Sequence, residues 1–154
     1  MNGRGTQGAG PAESGGQGSG GTRREAVIRP RVLIVDDEPM IGATLRVLLE
    51  ADNDVSVAQS GAQARQLLAA HEFDLILCDL TMPGESGMDL HRWLATRTPR
   101  AADRMVFMTG GVFTDEAREF LDGVDNRKLE KPFETADLLT VMREALASSG
   151  RPAR

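Results

Sequence analysis

The sequence predicts an α/β protein built on a doubly wound, five-stranded parallel sheet. Three observations carry this. Short apolar runs at 32–35, 54–58, 75–78, 105–108 and 127–130 alternate with segments of helical periodicity. The strongest runs are apolar throughout, as expected of strands covered on both faces. The stretches between them are long enough for the helical crossover that parallel pairing requires.

The elements follow in order. Val32-Leu33-Ile34-Val35 is the first strand and ends in Asp36-Asp37-Glu38. Ile41, Leu45, Leu48 and Leu49 then recur at helical spacing and predict one apolar stripe. Asp54–Ala58 alternates, as a weaker strand does, and Ser60 is placed to cap a helix that buries Ala64, Leu67 and Leu68. Leu75–Cys78 runs into Asp79, and Met82-Pro83-Gly84 marks a turn. Met88, Leu90, Trp93 and Leu94 outline a third helix, with Trp93 expected against the sheet. Met105–Met108 is the fourth strand and leads into Thr109-Gly110-Gly111. Thr114 precedes Asp115 and Glu116, a favourable helix start, with Ala117, Phe120 and Leu121 as the apolar face. A short strand near Arg127–Glu130 and a last helix over 134–147, with Leu138, Leu139, Val141, Met142 and Leu146 as its apolar positions, complete five strand–helix alternations.

Composition sets the boundaries. Residues 1–29 hold nine of the seventeen glycines and few apolar side chains, so they are expected to be a disordered tail or linker. The folded domain is expected at 30–148, with a short tail at 149–154. The net charge is −5, and each end contributes +2, which leaves the body at −9. A body that acidic is a poor match for a phosphate backbone, so nucleic-acid binding is not expected. No apolar run approaches the ~20 residues of a membrane span, and no secretory signal opens the chain. The single cysteine, Cys78, excludes an intrachain disulfide. The protein is expected to be cytoplasmic.

In an open doubly wound sheet, ligands bind at the carboxyl ends of the strands. Those ends present Asp36 and Asp37, Asp79, Thr109, and Lys131 followed by Pro132. Clustered carboxylates repel one another unless a cation neutralises them, and hard oxygen donors suit Mg²⁺. A lysine and a hydroxyl beside them can stabilise phosphoryl oxygens, so the set is equipped for transfer of a phosphoryl group to a carboxylate.

The segments Val-Asp36-Asp37-Glu-Pro, Cys-Asp79-Leu-Thr-Met-Pro-Gly, Met-Thr109-Gly-Gly and Glu-Lys131-Pro132-Phe133 resemble the four signature segments of response-regulator receiver domains. The resemblance covers roughly 31–148, and it implies the flavodoxin-like (βα)5 receiver fold. It implies that Asp79 accepts a phosphoryl group from a histidine kinase or phosphotransfer protein. Asp36, Asp37, Asp79 and the backbone carbonyl of Thr81 would hold Mg²⁺. Thr109 would sense the phosphoryl group, Lys131 would contact its oxygens, and the Lys131–Pro132 peptide would be cis. Signalling is then expected through protein–protein contacts without an output domain in this chain, and catalysis is limited to the protein's own phosphoryl transfer and slow autodephosphorylation. The loop after Met108 and the Leu-Glu-Lys-Pro-Phe ending are similar to C-terminal receivers of hybrid histidine kinases.

The chain departs from the family pattern at Lys128, where an aromatic switch residue is usual; it has no tyrosine at all. Thr81 and Gly111 occupy the two positions that tune phosphate loss, and neither supplies a carboxylate or amide to orient water. A long-lived phosphoryl state is expected. His71 and His91 are expected at the surface. Met40, Thr44 and Val47 form a stripe read either as partial core or as a kinase docking patch. Among rivals, an aspartate-nucleophile phosphatase usually has a second Asp where Thr81 stands. A flavin binder needs a phosphate loop where Asp36-Asp37-Glu38-Pro39 stands. A receiver that works without phosphorylation is disfavoured by its intact Asp, Thr and Lys.

Overall fold

The computed structural model describes residues 29–111 and 113–148. The expected disordered segment lies outside these residues, save Arg29, as does the tail 149–154.

Eleven elements are present among the described residues: β1 (Arg31–Val35), α1 (Pro39–Leu49), β2 (Asp54–Ala58), α2 (Gly61–Ala70), β3 (Leu75–Asp79), α3 (Gly87–Arg97), α4 (Pro99–Asp103), β4 (Met105–Thr109), α5 (Asp115–Asp122), β5 (Lys128–Glu130) and α6 (Thr135–Ala147). The five strands form one parallel sheet in the order β2-β1-β3-β4-β5. The expected fold class is present. Leu33 pairs with Ile76, Cys78 with Phe107 and Met108 with Leu129.

Strand alternation divides the core into two layers. Leu33, Val35, Ile76, Cys78, Met105 and Phe107 face α2 to α5, where Ala64, Leu90, Leu94, Ala117 and Leu121 cover them. Val32, Ile34, Leu75, Leu77, Val106 and Met108 face α1 and α6, under Leu45, Leu49, Leu138 and Met142. The edge strand β2 is only partly covered, which is why its sequence alternates.

The helix starts are set by side chains. Ser60 Oγ accepts from the Gln63 amide at 3.1 Å and Thr114 Oγ1 from the Ala117 amide at 3.1 Å. Ser86 and Asp89 form a reciprocal capping box at the head of α3.

Two differences from expectation concern helices. The short α4 has no counterpart among the expected elements. Pro99 suits a first helical position, since its missing N–H has no partner there anyway, and the Thr98 carbonyl takes the Ala101 and Ala102 amides at 2.8 and 3.2 Å. Leu48 and Leu139, both placed on core stripes, are 41% and 42% exposed, because the buried stripe of each helix is narrower than its apolar one.

Candidate functional site

The strand order switches at β1: the chain passes from β1 to β2 on one side, then to β3 on the other. A crevice opens there at the carboxyl ends of β1 and β3. Asp36 follows β1 directly, and Asp79 is the last residue of β3.

Asp36 is fully buried, and both its carboxylate oxygens are hydrogen-bonded. The Glu38 amide donates to Oδ1 at 2.9 Å, and Lys131 Nζ donates to Oδ2 at 3.0 Å. Asp79 is 7% exposed. The Thr81 amide donates to its Oδ1 at 3.3 Å, and Lys131 Nζ lies 3.5 Å from its Oδ2. Asp37 is half-buried beside them. Asp36, Asp37 and Asp79 offer oxygens that all lie within 4.8 Å of one another. Lys131 reaches this cluster because its own amide donates to the Thr109 carbonyl at 2.7 Å, extending the β4–β5 pairing by one bond. The Lys131–Pro132 peptide is cis, as the resemblance implied. Thr109, 4% exposed, ends β4, one residue beyond the partner of Asp79.

The electrostatics follow from crowding. Burial pushes the Asp79 carboxyl up to about 6; Asp36 and Asp37 add to the rise, while Lys131 and the Thr81 amide oppose it. Burial alone would depress Lys131, but the hydrogen bond to Asp36 and the charge of Asp79 outweigh it and hold the ammonium above its ordinary value. Three carboxylates share one ammonium. The set retains a deficit of positive charge and an array of hard oxygens, which fits a small divalent cation.

The predicted residues Asp36, Asp37, Asp79, Thr109 and Lys131 therefore meet at one edge, with the Thr81 amide against Asp79. One contributor escaped the sequence reading. Gly87 opens α3 against the back of Asp79, where a Cβ would stand 2.4 Å from the Asp79 carbonyl oxygen. Its glycine is a close-approach requirement, which no local sequence pattern signals.

Other singled-out residues fall as follows. Cys78 is buried, its thiol donates to the Asp79 carbonyl at 3.3 Å, and burial pushes its pKa up. Lys128 is exposed. His71 is exposed as expected, but His91 is not. It is half-buried, with Phe120 at 5.2 Å and Phe107 at 5.8 Å between ring centroids, because α3 turns this position toward α5. Burial holds its pKa low. Trp93 is partly buried and packs against the core layer on this face of the sheet; the guanidiniums of Arg65 and Arg97 each sit 5.0 Å from its ring centroid. Met40 and Val47 are 78% and 70% exposed, which removes the partial-core reading of that stripe. Met40 lines two shallow grooves and Val47 the smaller of them; the larger, of about 540 Å³, runs from α1 to Lys131, Pro132 and Phe133.

The model of the response regulator receiver domain family matches residues 32–143. The chain belongs to that family. This receiver is 38% identical over 111 residues to the protein PetR of Rhodobacter capsulatus, covering 71% of the chain and 46% of PetR. It is 31% identical over 115 residues to the aerobic respiration control sensor protein ArcB of Escherichia coli K12, covering 73% of the chain and 15% of ArcB. The chain thus spans less than half the length of these curated relatives. A receiver-domain crystal structure from Clostridium thermocellum superposes with a TM-score of 0.68 at 29% identity, over 77% of this chain and 94% of that one. No helix among the described residues is long and apolar enough to cross a membrane.

Proposed function

We propose that this receiver takes a phosphoryl group onto Asp79 from a phosphohistidine of a histidine kinase or phosphotransfer protein. The observation that carries the proposal is the placement of Asp79: its carboxylate is 3.5 Å from the Lys131 ammonium and within 4.8 Å of the Asp36 and Asp37 oxygens. A carboxylate oxygen of Asp79 attacks phosphorus, the P–N bond of the donor breaks, and an acyl phosphate forms. Lys131 supplies a cation to the phosphoryl oxygens. Thr109, at the neighbouring strand end, supplies a hydroxyl donor. Asp36, Asp37, Asp79 and the Thr81 carbonyl would hold Mg²⁺, which when bound offsets the charge of the incoming phosphoryl group.

The partner's docking site in this proposal is the apolar α1 stripe of Met40, Thr44 and Val47 with the adjoining groove at Lys131–Phe133, which opens directly beside the acceptor. The sequence similarity to a sensor kinase supports a kinase of the same signalling class as donor. Incubation with acetyl phosphate and Mg²⁺, followed by intact mass, tests the chemistry. An adduct of one phosphoryl group that is absent in Asp79→Asn is the expected result. A wild-type chain that stays unmodified sinks the proposal.

A further inference from the structure

The loop between β3 and α3 carries Thr81, whose amide donates to Asp79. Its near end is held by the Leu80 amide on the Met108 carbonyl at 2.9 Å, and its far end by the Gly87 amide on the Leu80 carbonyl at 2.9 Å. Between these anchors Glu85 is held against α2 by two contacts, and its ion-pair partner is placed by a third. Arg65 of α2 forms a two-pronged ion pair with it, one prong being Nε to Oε2 at 3.0 Å. The Glu85 stem lies on the first residue of α2: a Cβ at Gly61 would stand 2.8 Å from Glu85 Cβ and Cγ. Its carboxylate is thereby set against the positive end of the α2 dipole. The Arg65 guanidinium also lies over the ring of Trp93, 5.0 Å from its centroid, and Arg97 lies over the same ring.

A planar guanidinium that meets a carboxylate by both prongs and an indole by its face has few alternative poses. We propose that Arg65 and Glu85 are positioning residues for the metal- and phosphate-binding loop, with Trp93 as the backstop that orients Arg65. The clamp fixes the loop to α2, in addition to its backbone anchors at Leu80 and Gly87. It holds the Thr81 peptide in place before a ligand arrives, so less ordering accompanies binding. Neither residue touches the reacting atoms. The inference rests on the phospho-accepting reading of Asp79.

The full-length chain tests it. Arg65→Ala, Glu85→Gln and the double variant are compared by calorimetric Mg²⁺ titration and by hydrogen exchange of the metal-free protein. Each single change is expected to weaken Mg²⁺ binding about tenfold, the usual scale for losing a group that orients a metal ligand. Exchange at the Thr81, Met82 and Gly84 amides is expected to speed up. The double variant should be no worse than the weaker single, since the two act as one unit. Arg65→Lys, which keeps the charge and loses the fork, should fall between. Arg97→Ala touches the same indole without touching Glu85 and should bind Mg²⁺ as wild type does. Wild-type affinity and exchange in both single variants overturns the clamp, and so does an equal loss in Arg97→Ala. A wild-type chain that neither binds Mg²⁺ nor gains phosphate from acetyl phosphate overturns instead the reading on which the clamp depends.

Discussion

Lys131 is closer to Asp36 than to Asp79: its ammonium is 3.0 Å from the Asp36 Oδ2 and 3.5 Å from the Asp79 Oδ2. Asp36 is fully buried, so in this state the lysine serves chiefly as the counter-charge of a carboxylate that has no solvent. Removing one partner of such a pair leaves an uncompensated charge, at a cost of about 3–5 kcal/mol when both are buried. Lys131 is 21% exposed, which lowers the figure. Lys131→Ala is therefore expected to lose about 1–3 kcal/mol in urea unfolding without metal. Saturating Mg²⁺ should return much of that loss. Equal losses with and without Mg²⁺ would show that the lysine does not stand in for a cation.

The raised pKa of Asp79 makes a signed statement about stability. The folded value is about 6 against 3.8 for the free side chain. The folded state thus binds this proton more tightly than the unfolded chain. The associated stabilisation is complete below the unfolded value and is lost as pH rises through about 6. Without metal, the urea midpoint is expected to rise as pH falls from about 7.5 to about 5.5, by the equivalent of about 1 kcal/mol at most, the remainder of the gain lying between about 5.5 and the unfolded value. Asp79→Asn removes the titration; it should flatten this slope and be more stable than wild type at neutral pH. A wild-type midpoint that falls steadily over the same window is the contrary result.

Gly87 gives a sharper mutational test. A Cβ there meets backbone, the Asp79 carbonyl oxygen at 2.4 Å and Leu80 Cα at 3.1 Å, so no rotamer change relieves the clash. Gly87→Ala is expected to cost about 2–3 kcal/mol by overpacking and to displace Asp79 from its partners. Thermal melting and the acetyl phosphate assay check both effects. An alanine variant with wild-type stability would mean that α3 shifts freely on β3.

How much of this was legible beforehand differs by kind of interaction. The sheet was legible because β1, β3 and β4 are buried on both faces and their apolar runs have no competing period. Asp36, Asp79 and Thr109 were legible because each stands at the end of such a run, and parallel strands place their carboxyl ends together; Lys131 follows the short, mostly exposed β5 and was legible from the Glu-Lys131-Pro132-Phe133 segment instead. The close approach of Gly87 to Asp79 was not, since it depends on how tightly α3 docks. His91 escaped for the same reason: its burial comes from Phe107 and Phe120, sixteen and twenty-nine positions away in the chain. Leu48 and Leu139 look like core residues in any helical count, but α1 and α6 each meet the sheet over a narrower stripe.

Phosphate lifetime depends on what stands near the acyl phosphate. Thr81 is exposed, and Gly111 adopts a φ of +83°, a conformation that disfavours any larger residue. Neither orients water with a carboxylate or amide. The phosphorylated protein is expected to lose phosphate slowly in the absence of a kinase. Thr81→Asn places an amide there at little cost to folding and should shorten the half-life, on the order of tenfold. Mass spectrometry over a time course decides between them. Rapid loss from wild type sinks the argument.

The state of Asp79 is expected to be read through α5 rather than β5. Thr109 and Phe107 are two residues apart on β4, so their side chains share a face. Phe107 meets Phe120 of α5 edge to face, with centroids 5.4 Å apart, and Phe120 in turn packs on His91. A movement of Thr109 toward a phosphoryl group would thereby be transmitted along one strand face to an aromatic cluster at α5. Lys128, at the usual aromatic position, is exposed and carries no ring to pass a movement on. A phosphoryl mimic such as beryllofluoride, added with Mg²⁺, should shift backbone amides in Gly110–Glu116 and along α5 more than those of Lys128 and Leu129. Phe120→Leu keeps the apolar burial but removes the edge-to-face contact, and it should reduce the α5 shifts while leaving those at Asp79 and Thr81 in place. Larger shifts at Lys128 than at α5, or α5 shifts indifferent to Phe120→Leu, would exclude this route.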